Sequence, residues 1–465
     1  MSFVFYDTET TGVHKSFDQV LQFAAIRTDG ELNELDRFEQ RCRVTPYVIP
    51  SAGALAVTRV SIDQLIDPRH PSHYEMMCQI ASRLDDWTPA VFAGWNSIDF
   101  DEHLLRQAFY QCLHKPYATN TNGNCRADIL KIAQLAYMRE PGAIRVPVNE
   151  RGAPVFKLDQ MAPLNGFNHE NAHDALADVE ATIFMARLLR DRAPDVWSNA
   201  LRFSQKAAVV DFVDEEPAFL ISEFYFGKPY QFAVTKIGND ASNVGVILAL
   251  DLDSDHSELR QMTDSQLSLR LHRSPKPIRR VKANSCPGID ALPDQGWHGR
   301  DLGELYEVAD GIRNDVDFCQ RLSDAFCAGA SSFDTSEHVE EQLYSGFAGQ
   351  DDNARMAQFH SAGWAGRYEV VEALDDPRLR ILGTRLIYQH APDSLPPAVR
   401  RAEEILIAQR LLGHGLAKPP WLTIASAEAE IDKRLAGCGD EERAILNGLR
   451  LYLRARDAEA RAVAF

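Results

Sequence analysis

The spacing of hydrophobic and polar residues predicts an α/β segment at the start of the chain. Short apolar runs at residues 3–7, 19–28 and 38–44 predict three strands, and DGELNE between them is typical of a hairpin connection. Helical periodicity and one further apolar strand follow, in SHYEMMCQIASRLDDW, AVFAGWN, FDEHLLRQAFYQCL, ADILKIAQLAYM and a helix from about 171 to 190. A strand meander followed by alternating helices and strands predicts an α/β domain.

The pattern changes twice further along the chain. Alternating stretches separated by Gly, Pro, Asn and Asp, namely AFLISEFYF, YQFAVTKI and NVGVILALDL, predict a small β domain. From about residue 350 the chain is rich in Ala, Leu and Arg with helical spacing, which predicts a helical domain. We therefore expect three domains, at residues 1–197, 198–348 and 349–465.

Composition and charge narrow the class of protein. The 465 residues are 45% hydrophobic, which permits large cores, and the formal net charge of −18 argues against a general nucleic-acid coat protein. A nucleic-acid enzyme that concentrates Lys and Arg locally remains compatible with this charge. Eight scattered cysteines without a CxxC pair, no signal peptide and no apolar stretch of bilayer length predict a cytoplasmic protein that does not contact a membrane.

Two acidic residues at the end of the first strand indicate chemistry. In FVFYDTETTGV, Asp7 and Glu9 lie two residues apart, so their side chains point to the same face of the strand. Neighbouring carboxylates repel each other and lose hydration when buried, unless a cation lies between them. The pair therefore predicts either a metal site or exposure to solvent.

Three further residues favour the metal site. Asp101 in NSIDFDEHLL follows a predicted strand at the start of a helix. Asp178 lies on the first turns of a late helix that Asn171 is expected to cap, with Asp174 three residues later, and His173 is expected at the entrance of this helix. Four carboxylates from separate elements are the oxygen ligands that Mg²⁺ or Mn²⁺ prefers. Two such ions support phosphodiester hydrolysis, for which a histidine is suited to accept the proton of the attacking water.

Each of these signals also has an ordinary explanation. A single Asp-x-Glu pair is commonly a solvated turn, a histidine at a helix start is often a cap, and an Asp at a helix N-terminus is favoured by the helix dipole. The ordered set is far more specific than any of its members, because it combines DTETTG on a strand, N-x-x-x-F-D at a strand-to-helix step and H-x-x-x-x-D on a late helix.

The β-rich segment contains the densest positive charge of an acidic chain. The run RLHRSPKPIRRVKANSCPGI, residues 270–289, has no acidic residue and includes Arg279, Arg280 and Lys282, which suits a groove that follows a phosphate backbone. A solvated strand edge protected by charge is the alternative. The aromatics of FLISEFYFGKPYQF are expected to be mainly core, with one or two that contact DNA bases.

The motifs resemble those of a known superfamily. DTETTG, NSIDFD and HDALAD are similar to the three exonuclease motifs of the DEDD superfamily, histidine subtype, whose members have a ribonuclease-H-like fold and cleave from a 3′ end with two metal ions. The segments QFAAIRTDGELN, NAHDALADVEATIFMARLL, VGVILALDL, VKANSCPG and LYSGFAGQDDNARM resemble the bacterial exodeoxyribonuclease I family over essentially the full chain. The resemblance implies an α/β ribonuclease-H-like exonuclease domain, an SH3-like β domain that binds DNA and an α-helical C-terminal domain.

The resemblance also implies roles for individual residues. Asp7, Glu9, Asp101 and Asp178 become the ligands of two Mg²⁺ ions, for which Mn²⁺ would substitute, and Glu9 is also expected to contact the substrate. His173 becomes the general base. Lys157 in FKLDQM stands where the family more usually has Arg, near the scissile phosphate, and a Lys keeps the charge but loses the bidentate geometry.

The function that the resemblance implies is a 3′→5′ exodeoxyribonuclease. It would degrade single-stranded DNA to deoxynucleoside 5′-monophosphates as a monomer, act in DNA repair and recombination, and bind single-stranded DNA-binding protein through the C-terminal tail of that protein. Two alternatives stay open from the sequence. One is a 3′→5′ exoribonuclease of the same superfamily, and the other is a DNA-end-binding protein that does not cleave.

Overall fold

The computed structural model describes residues 1–168, 174–329 and 335–464. Within these ranges, none of the helices combines the length and the hydrophobicity that crossing a bilayer requires.

The first sheet is mixed and five-stranded. Its strands are β1 (Phe3–Thr10), β2 (Val20–Thr28), β3 (Glu34–Arg41), β4 (Val91–Gly94) and β5 (Cys125–Asp128). The strand order is β3-β2-β1-β4-β5, with β1, β2 and β3 antiparallel and β1, β4 and β5 parallel. The carboxyl ends of the three parallel strands therefore meet at one edge of the sheet.

The sheet agrees with the predicted strand meander but differs in detail. Strand β1 continues to Thr10, so both Asp7 and Glu9 are paired within the sheet, opposite Ala24 and Gln22. Strand β5 was not predicted, because its last residues had been assigned to the following helix. Four residues give too short a pattern to separate a buried strand from a helix start.

Nine helices surround or follow this sheet in the described ranges. They are α1 (Ala52–Thr58), α2 (Ile62–Leu65), α3 (His73–Asp86), α4 (Asp101–Gln111), α5 (Ile129–Arg139), α6 (Leu158–Leu164), α7 (Ala175–Arg192), α8 (Pro194–Arg202) and α9 (Lys206–Glu215). Helices α3, α4, α5 and α7 correspond to the four predicted helices.

Helix α7 begins later than the sequence predicted. Asp174 is its N-cap and accepts a hydrogen bond from the backbone nitrogen of Ala177 at 3.4 Å, so the helix starts at Ala175 and not near residue 171. The prediction that Asn171 is the cap concerns a residue outside the described ranges. Asp178 consequently lies in the first turn, where its charge is favoured by the helix dipole.

The second sheet is antiparallel and has the order β10-β6-β7-β8-β9. Its strands are β6 (Phe219–Tyr225), β7 (Lys228–Asp240), β8 (Asn243–Asp251), β9 (Ile278–Lys282) and β10 (Ile289–Ala291). Four helices that the sequence analysis did not predict lie in the same segment, namely α10 (His256–Gln261), α11 (Asp264–His272), α12 (Leu302–Arg313) and α13 (Val316–Ala328). They cover one face of the sheet, where Leu248 and Leu250 share a core with Leu305 and Leu322.

The C-terminal part is helical, as predicted. Its helices are α14 (Gln350–Ser361), α15 (Arg367–Ala373), α16 (Pro377–His390), α17 (Pro397–Leu412), α18 (Ile424–Leu435) and α19 (Asp440–Ala464). Phe109 of α4 belongs to the same core as Val371 and Ile387, and Leu55 of α1 to the same core as Leu449. The helical part therefore completes the hydrophobic cores of the first part of the chain.

Candidate active site

Three carboxylates converge at the edge of the first sheet. Asp7 and Glu9 extend from the same face of β1, and Asp178 from the first turn of α7, so that oxygen atoms of all three lie within 4.8 Å of one another. The period of two along a strand places the first pair, and the packing of α7 against β1 adds the third. This group of three is only half-buried, so an ion has access to it.

Asp101 is the first residue of α4 and is 4% exposed. Its Oδ1 accepts hydrogen bonds from the backbone nitrogen of Thr8 at 3.1 Å and from the Thr8 hydroxyl at 2.6 Å. Asp101 is not among the three carboxylates within 4.8 Å, but its charge acts on both Asp7 and Glu9. Thr8, which lies between the two β1 carboxylates, thus fixes the fourth carboxylate beside them.

The four carboxylates are electrostatically strained as a group. Burial, and then the charges of Asp101 and Asp178, raise the pKa of Asp7 well above its usual range. The same causes raise the pKa of Glu9 to about 8, against a lowering effect of Arg41. Burial raises the pKa of Asp101 to about 7, although its bonds from Thr8 act in the opposite direction. A divalent cation would replace the protons that this site otherwise retains, so the oxygen ligands and their electrostatics fit a metal site.

These pKa shifts predict a pH dependence of stability in the absence of metal. Because the folded protein holds protons on Glu9 up to about pH 8 and the unfolded chain releases them near pH 4.5, the free energy of unfolding should fall as pH rises between these values. The melting temperature in EDTA should therefore decrease from pH 5 to pH 8, and Glu9→Gln should reduce this slope. Added Mg²⁺ should stabilise most at the alkaline end. A melting temperature in EDTA that is independent of pH in both proteins would contradict the coupling.

Three residues that the sequence analysis did not assign to the site hold the start of α7 on the sheet. The guanidinium of Arg41 lies 2.5 Å from the Asp174 carboxylate, and the Gln22 amide donates to the same carboxylate at 3.2 Å. Gln22 is opposite Glu9 in the register of β1 and β2. A glutamine within the apolar strand VLQFAAI was the sequence signal for this contact.

Asp128 positions the turn that leads to Asp101. It is fully buried at the end of β5, and its carboxylate accepts hydrogen bonds from the backbone nitrogens of Asn96 at 3.0 Å and Ile98 at 3.2 Å. Asn96 has a φ of 63°, a left-handed conformation in which Asn is among the more tolerant residues. The motif NSIDFD therefore depends on a buried acid from the neighbouring strand, which no local pattern could reveal.

Two predicted site residues have different outcomes. His173 lies outside the described residues, so its role as general base stays a prediction. Lys157 is exposed at the N-cap position of α6. The carbonyl of the preceding Phe156 accepts a hydrogen bond from Trp95 Nε1 at 3.0 Å, which holds this segment near the carboxyl end of β4.

The three cations predicted to contact DNA are not equivalent. Arg279 is 14% exposed, lies 3.7 Å from the Asp251 carboxylate, and has its guanidinium 3.4 Å from the centre of the Phe232 ring. The charge of Arg279 is thus balanced inside the β domain, so the prediction that Arg279 contacts a DNA phosphate is not carried further. Arg280 is half-exposed and donates to Asp240 at 2.9 Å, and Lys282 is exposed.

Arg280 and Lys282 line a cleft between the second sheet and helix α5. The cleft has a volume of about 480 Å³, and its opposite wall includes Asn96 and Lys131 from the first part of the chain. Tyr225 lies at the same cleft. The cleft connects the turn that precedes Asp101 with the exposed basic residues of β9.

A larger cavity of about 900 Å³ lies on another side of the carboxylates. Glu9, Thr10 and Phe100 line it from the first part of the chain, and Trp421 and Arg410 line it from the helical part. Asp99 and Glu223 also line the cleft, but its exposed cations on β9 are Arg280 and Lys282, for which we call it the basic cleft. The site is therefore flanked by the basic cleft and by a chamber with aromatic walls.

A second group of possible metal ligands, Cys78, His114 and His360, also has ligand atoms within 4.8 Å of one another, but its histidines are already engaged. Both ring nitrogens of His360 are already bonded, Nδ1 to the Tyr74 hydroxyl at 2.9 Å and Nε2 to the carbonyl of Leu113 at 2.9 Å. The rings of His114 and His360 are stacked 3.9 Å apart, so their nitrogens do not converge on one point. The carboxylate group is the better metal site in the described part of the chain.

Comparison with known proteins relates the chain to exonucleases. A family model described as Exonuclease matches residues 4–185, and one described as Exonuclease I C-terminal domain matches residues 337–456. Exodeoxyribonuclease I of Escherichia coli K12 is 29% identical over 76% of this chain and 78% of its own length. Exodeoxyribonuclease I of Haemophilus influenzae is 27% identical over 87% and 88%.

Solved structures extend the likeness to the whole chain. Exonuclease I from Methylocaldum szegediense has a TM-score of 0.85 at 26% identity, covering 98% of this chain and 99% of that one. E. coli exonuclease I in complex with a dA16 oligonucleotide has the same TM-score and coverage at 24% identity. A zinc-bound form of the E. coli enzyme with single-stranded DNA has a TM-score of 0.83 at 24% identity, with the same coverage.

The mixed sheet with its four carboxylates defines the class of protein, a DEDD exonuclease on a ribonuclease-H-like fold. The second antiparallel sheet and the helical C-terminal part complete the predicted architecture. The chain belongs to the exodeoxyribonuclease I family and is a 3′→5′ exonuclease. Exonucleases of this superfamily are typically metal-dependent.

Proposed function

We propose that the chain degrades single-stranded DNA from its 3′ end and releases deoxynucleoside 5′-monophosphates. The observation that carries this proposal is the convergence of Asp7, Glu9 and Asp178 beside the buried Asp101. Because all the donors are oxygens with no imidazole or thiolate among them, Mg²⁺ is the preferred occupant, in two positions, and Mn²⁺ would substitute. Two bound ions would supply an activated water and a stabilised leaving oxygen.

The remaining residues orient the carboxylates, accept a proton and contact the substrate. Thr8 and Asp128 hold Asp101 and the turn before it, and Asp174 holds the start of α7, so the carboxylates are preorganised. We assign to His173 the acceptance of the proton from the attacking water, because a neutral imidazole is suited to this step near pH 7. Lys157 would contact the scissile phosphate as a point charge.

The two cavities indicate how a strand would lie. The chamber of about 900 Å³ beside Glu9 has room for the 3′-terminal nucleotide, and Phe100 and Trp421 offer surfaces to its base. The cleft between the second sheet and α5 would take the upstream nucleotides, with Arg280 and Lys282 facing their phosphates. The E. coli relative bound to dA16 supports DNA as the substrate of this arrangement.

Family membership supports two wider proposals. One is a role in DNA repair and recombination, as a monomer with domains near residues 1–197, 198–348 and 349–465. The other is binding of single-stranded DNA-binding protein through its C-terminal tail. A synthetic tail peptide, labelled and titrated with the full chain, tests the second proposal, and anisotropy equal to that of a scrambled peptide would contradict it.

The principal experiment follows the fate of a 5′-labelled oligodeoxynucleotide. With Mg²⁺ we expect a ladder that shortens from the 3′ end, and with EDTA no shortening. The same sequence as RNA and as a blunt duplex serve as controls for the substrate class. Undiminished cleavage in EDTA would contradict the metal site, faster cleavage of RNA would favour the exoribonuclease alternative, and binding without any cleavage would favour the end-binding alternative.

The basic cleft predicts a change in salt dependence. Each phosphate contact to a single strand contributes about 0.7 to the slope of log affinity against log salt concentration, so the double variant Arg280→Ala/Lys282→Ala should lower that slope by about 1.4. Affinity for oligonucleotides is measured in EDTA between low and moderate salt. Lys433→Ala, which removes an exposed charge from α18, should leave the slope unchanged. An unchanged slope in the double variant would show that these residues are only a solvated edge.

A further inference from the structure

The turn between β6 and β7 presents a phenylalanine to solvent at a strained backbone position. Tyr225 pairs with Lys228, so Phe226 and Gly227 form a two-residue turn, with φ of 50° and 72°. Such turns favour Asn-Gly, because a bulky residue with positive φ clashes with its own backbone. Phe226 is 98% exposed, so its ring contributes nothing to packing that would offset this strain. A strained and exposed aromatic residue points to a ligand.

The turn lies at the tip of a two-stranded ribbon that β6 and β7 form. Aromatic side chains are exposed on one face of this ribbon. Strand β8 pairs with β7 only from Val234 onward, so among the described residues no third strand pairs with the earlier part of the hairpin on that side. Tyr225 and Tyr230 have ring centres 5.4 Å apart, and Tyr230 is parallel to Phe232 at 6.4 Å. Both tyrosines are 38% exposed. The tip thus continues an aromatic row from the interior of the β domain into solvent.

The ribbon is held against the exonuclease part of the chain. Phe224, which points to the opposite face of β6, packs edge-on against Phe156 with ring centres 5.0 Å apart, and Phe156 directly precedes Lys157. At the tip, a side chain on Gly227 would contact Ala153 at 3.3 Å. Tyr225 also lines the basic cleft. The aromatic row therefore begins where the cleft assigned to the upstream strand ends.

We propose that Tyr225, Phe226 and Tyr230 form a stacking platform for unpaired bases of the upstream DNA strand. This inference rests on the proposed function. Aromatic rings accept any base by its π-face, so the platform would hold the strand without reading its sequence. Bases within a duplex are already stacked and paired, so only an unpaired strand can occupy it. The nearby exposed cations of β9 supply the attraction for phosphates that such a platform requires.

The test compares Phe226→Ala with Phe226→Trp and with a matched control. Val244→Ala removes another exposed apolar side chain, 76% exposed near the next hairpin turn of the same sheet. Measured in EDTA, Phe226→Ala should weaken binding of a 16-nucleotide strand about 5- to 150-fold, since stacking of one base is worth that range. Phe226→Trp and Val244→Ala should bind like the unmodified protein.

An abasic scan locates the contact. Single abasic sites are moved along the 16-nucleotide strand, and the penalty of Phe226→Ala should disappear when the abasic site occupies the position that stacks on the platform. A penalty that is the same at every position, equal binding by Phe226→Ala and the unmodified protein, or a change of oligomeric state in Phe226→Ala would each overturn the inference. If the unmodified protein neither binds nor shortens the strand, the proposed function itself fails, and this outcome is distinct from the other three.

Discussion

Asp7→Ala is expected to abolish nucleotide release while leaving the protein folded. Asp7 contributes an oxygen to the group of three carboxylates, and its removal leaves Glu9 and Asp178 without the partner that completes the metal site. We expect turnover to fall by about 10²–10³-fold, the range for the loss of one preorganised electrostatic contact to a transition state. In EDTA the melting temperature of the variant should be equal to or higher than that of the unmodified protein, because the variant no longer buries a carboxyl group beside three other acids, which costs free energy either as repulsion or as proton uptake.

The control for this variant is Asp63→Ala, which removes an exposed carboxylate from α2. It should retain full turnover and the same stabilisation by Mg²⁺ as the unmodified protein. Turnover within tenfold of the unmodified protein in Asp7→Ala would contradict the assignment of the metal site. A large fall in melting temperature in EDTA would instead show that Asp7 is required for folding.

The second large effect is expected at His173. If His173 accepts the proton of the attacking water, His173→Ala should reduce the rate at saturating DNA by about 10²–10⁴-fold and leave DNA affinity nearly unchanged. The limb of the pH–rate profile that reports the base should disappear, and added imidazole should restore part of the rate. Single-turnover cleavage and binding in EDTA separate the two quantities.

His298→Ala is the matched control, because His298 is 63% exposed in the β domain and bonded only to Asp253 among the described side chains. It should behave as the unmodified protein in rate and in pH profile. Loss of DNA affinity in proportion to loss of rate in His173→Ala would assign His173 to phosphate binding. An unchanged pH profile with a reduced rate would assign it to a structural role.

The sequence by itself determined which acidic side chains are available to form the site. Strand periodicity places Asp7 and Glu9 on one face wherever the strand lies, so their pairing was readable without a fold. Asp101 and Asp178 follow helix-start patterns, and such local patterns can be recognised in the sequence alone. The α/β, β-rich and helical segments were likewise readable, because long periodic stretches depend on burial of one face.

Only the tertiary structure decided which residues far apart in the chain contact each other. The bond from Thr8 to Asp101 spans 93 residues and the contact of Gln22 with Asp174 spans 152, so neither leaves a local pattern. The same reason explains why α7 begins at Ala175, where its N-cap Asp174 is bonded by Gln22 and Arg41 from distant strands. It also explains strand β5, which is stable because its neighbour β4 pairs with it.

The charge and the solvent exposure of individual side chains likewise depend partly on the sequence and partly on the tertiary structure. The basic run was visible in the sequence, but Arg279 is neutralised by Asp251, 28 residues earlier, and covers a ring, whereas Lys282 faces the cleft. The aromatic stretch was visible as well, yet only the end of pairing with β8 at Val234 leaves the tip at Phe226 uncovered. A sequence specifies which side chains are available. The free energy of packing distant segments together decides which of them are buried or paired within the fold and which remain exposed to contact DNA.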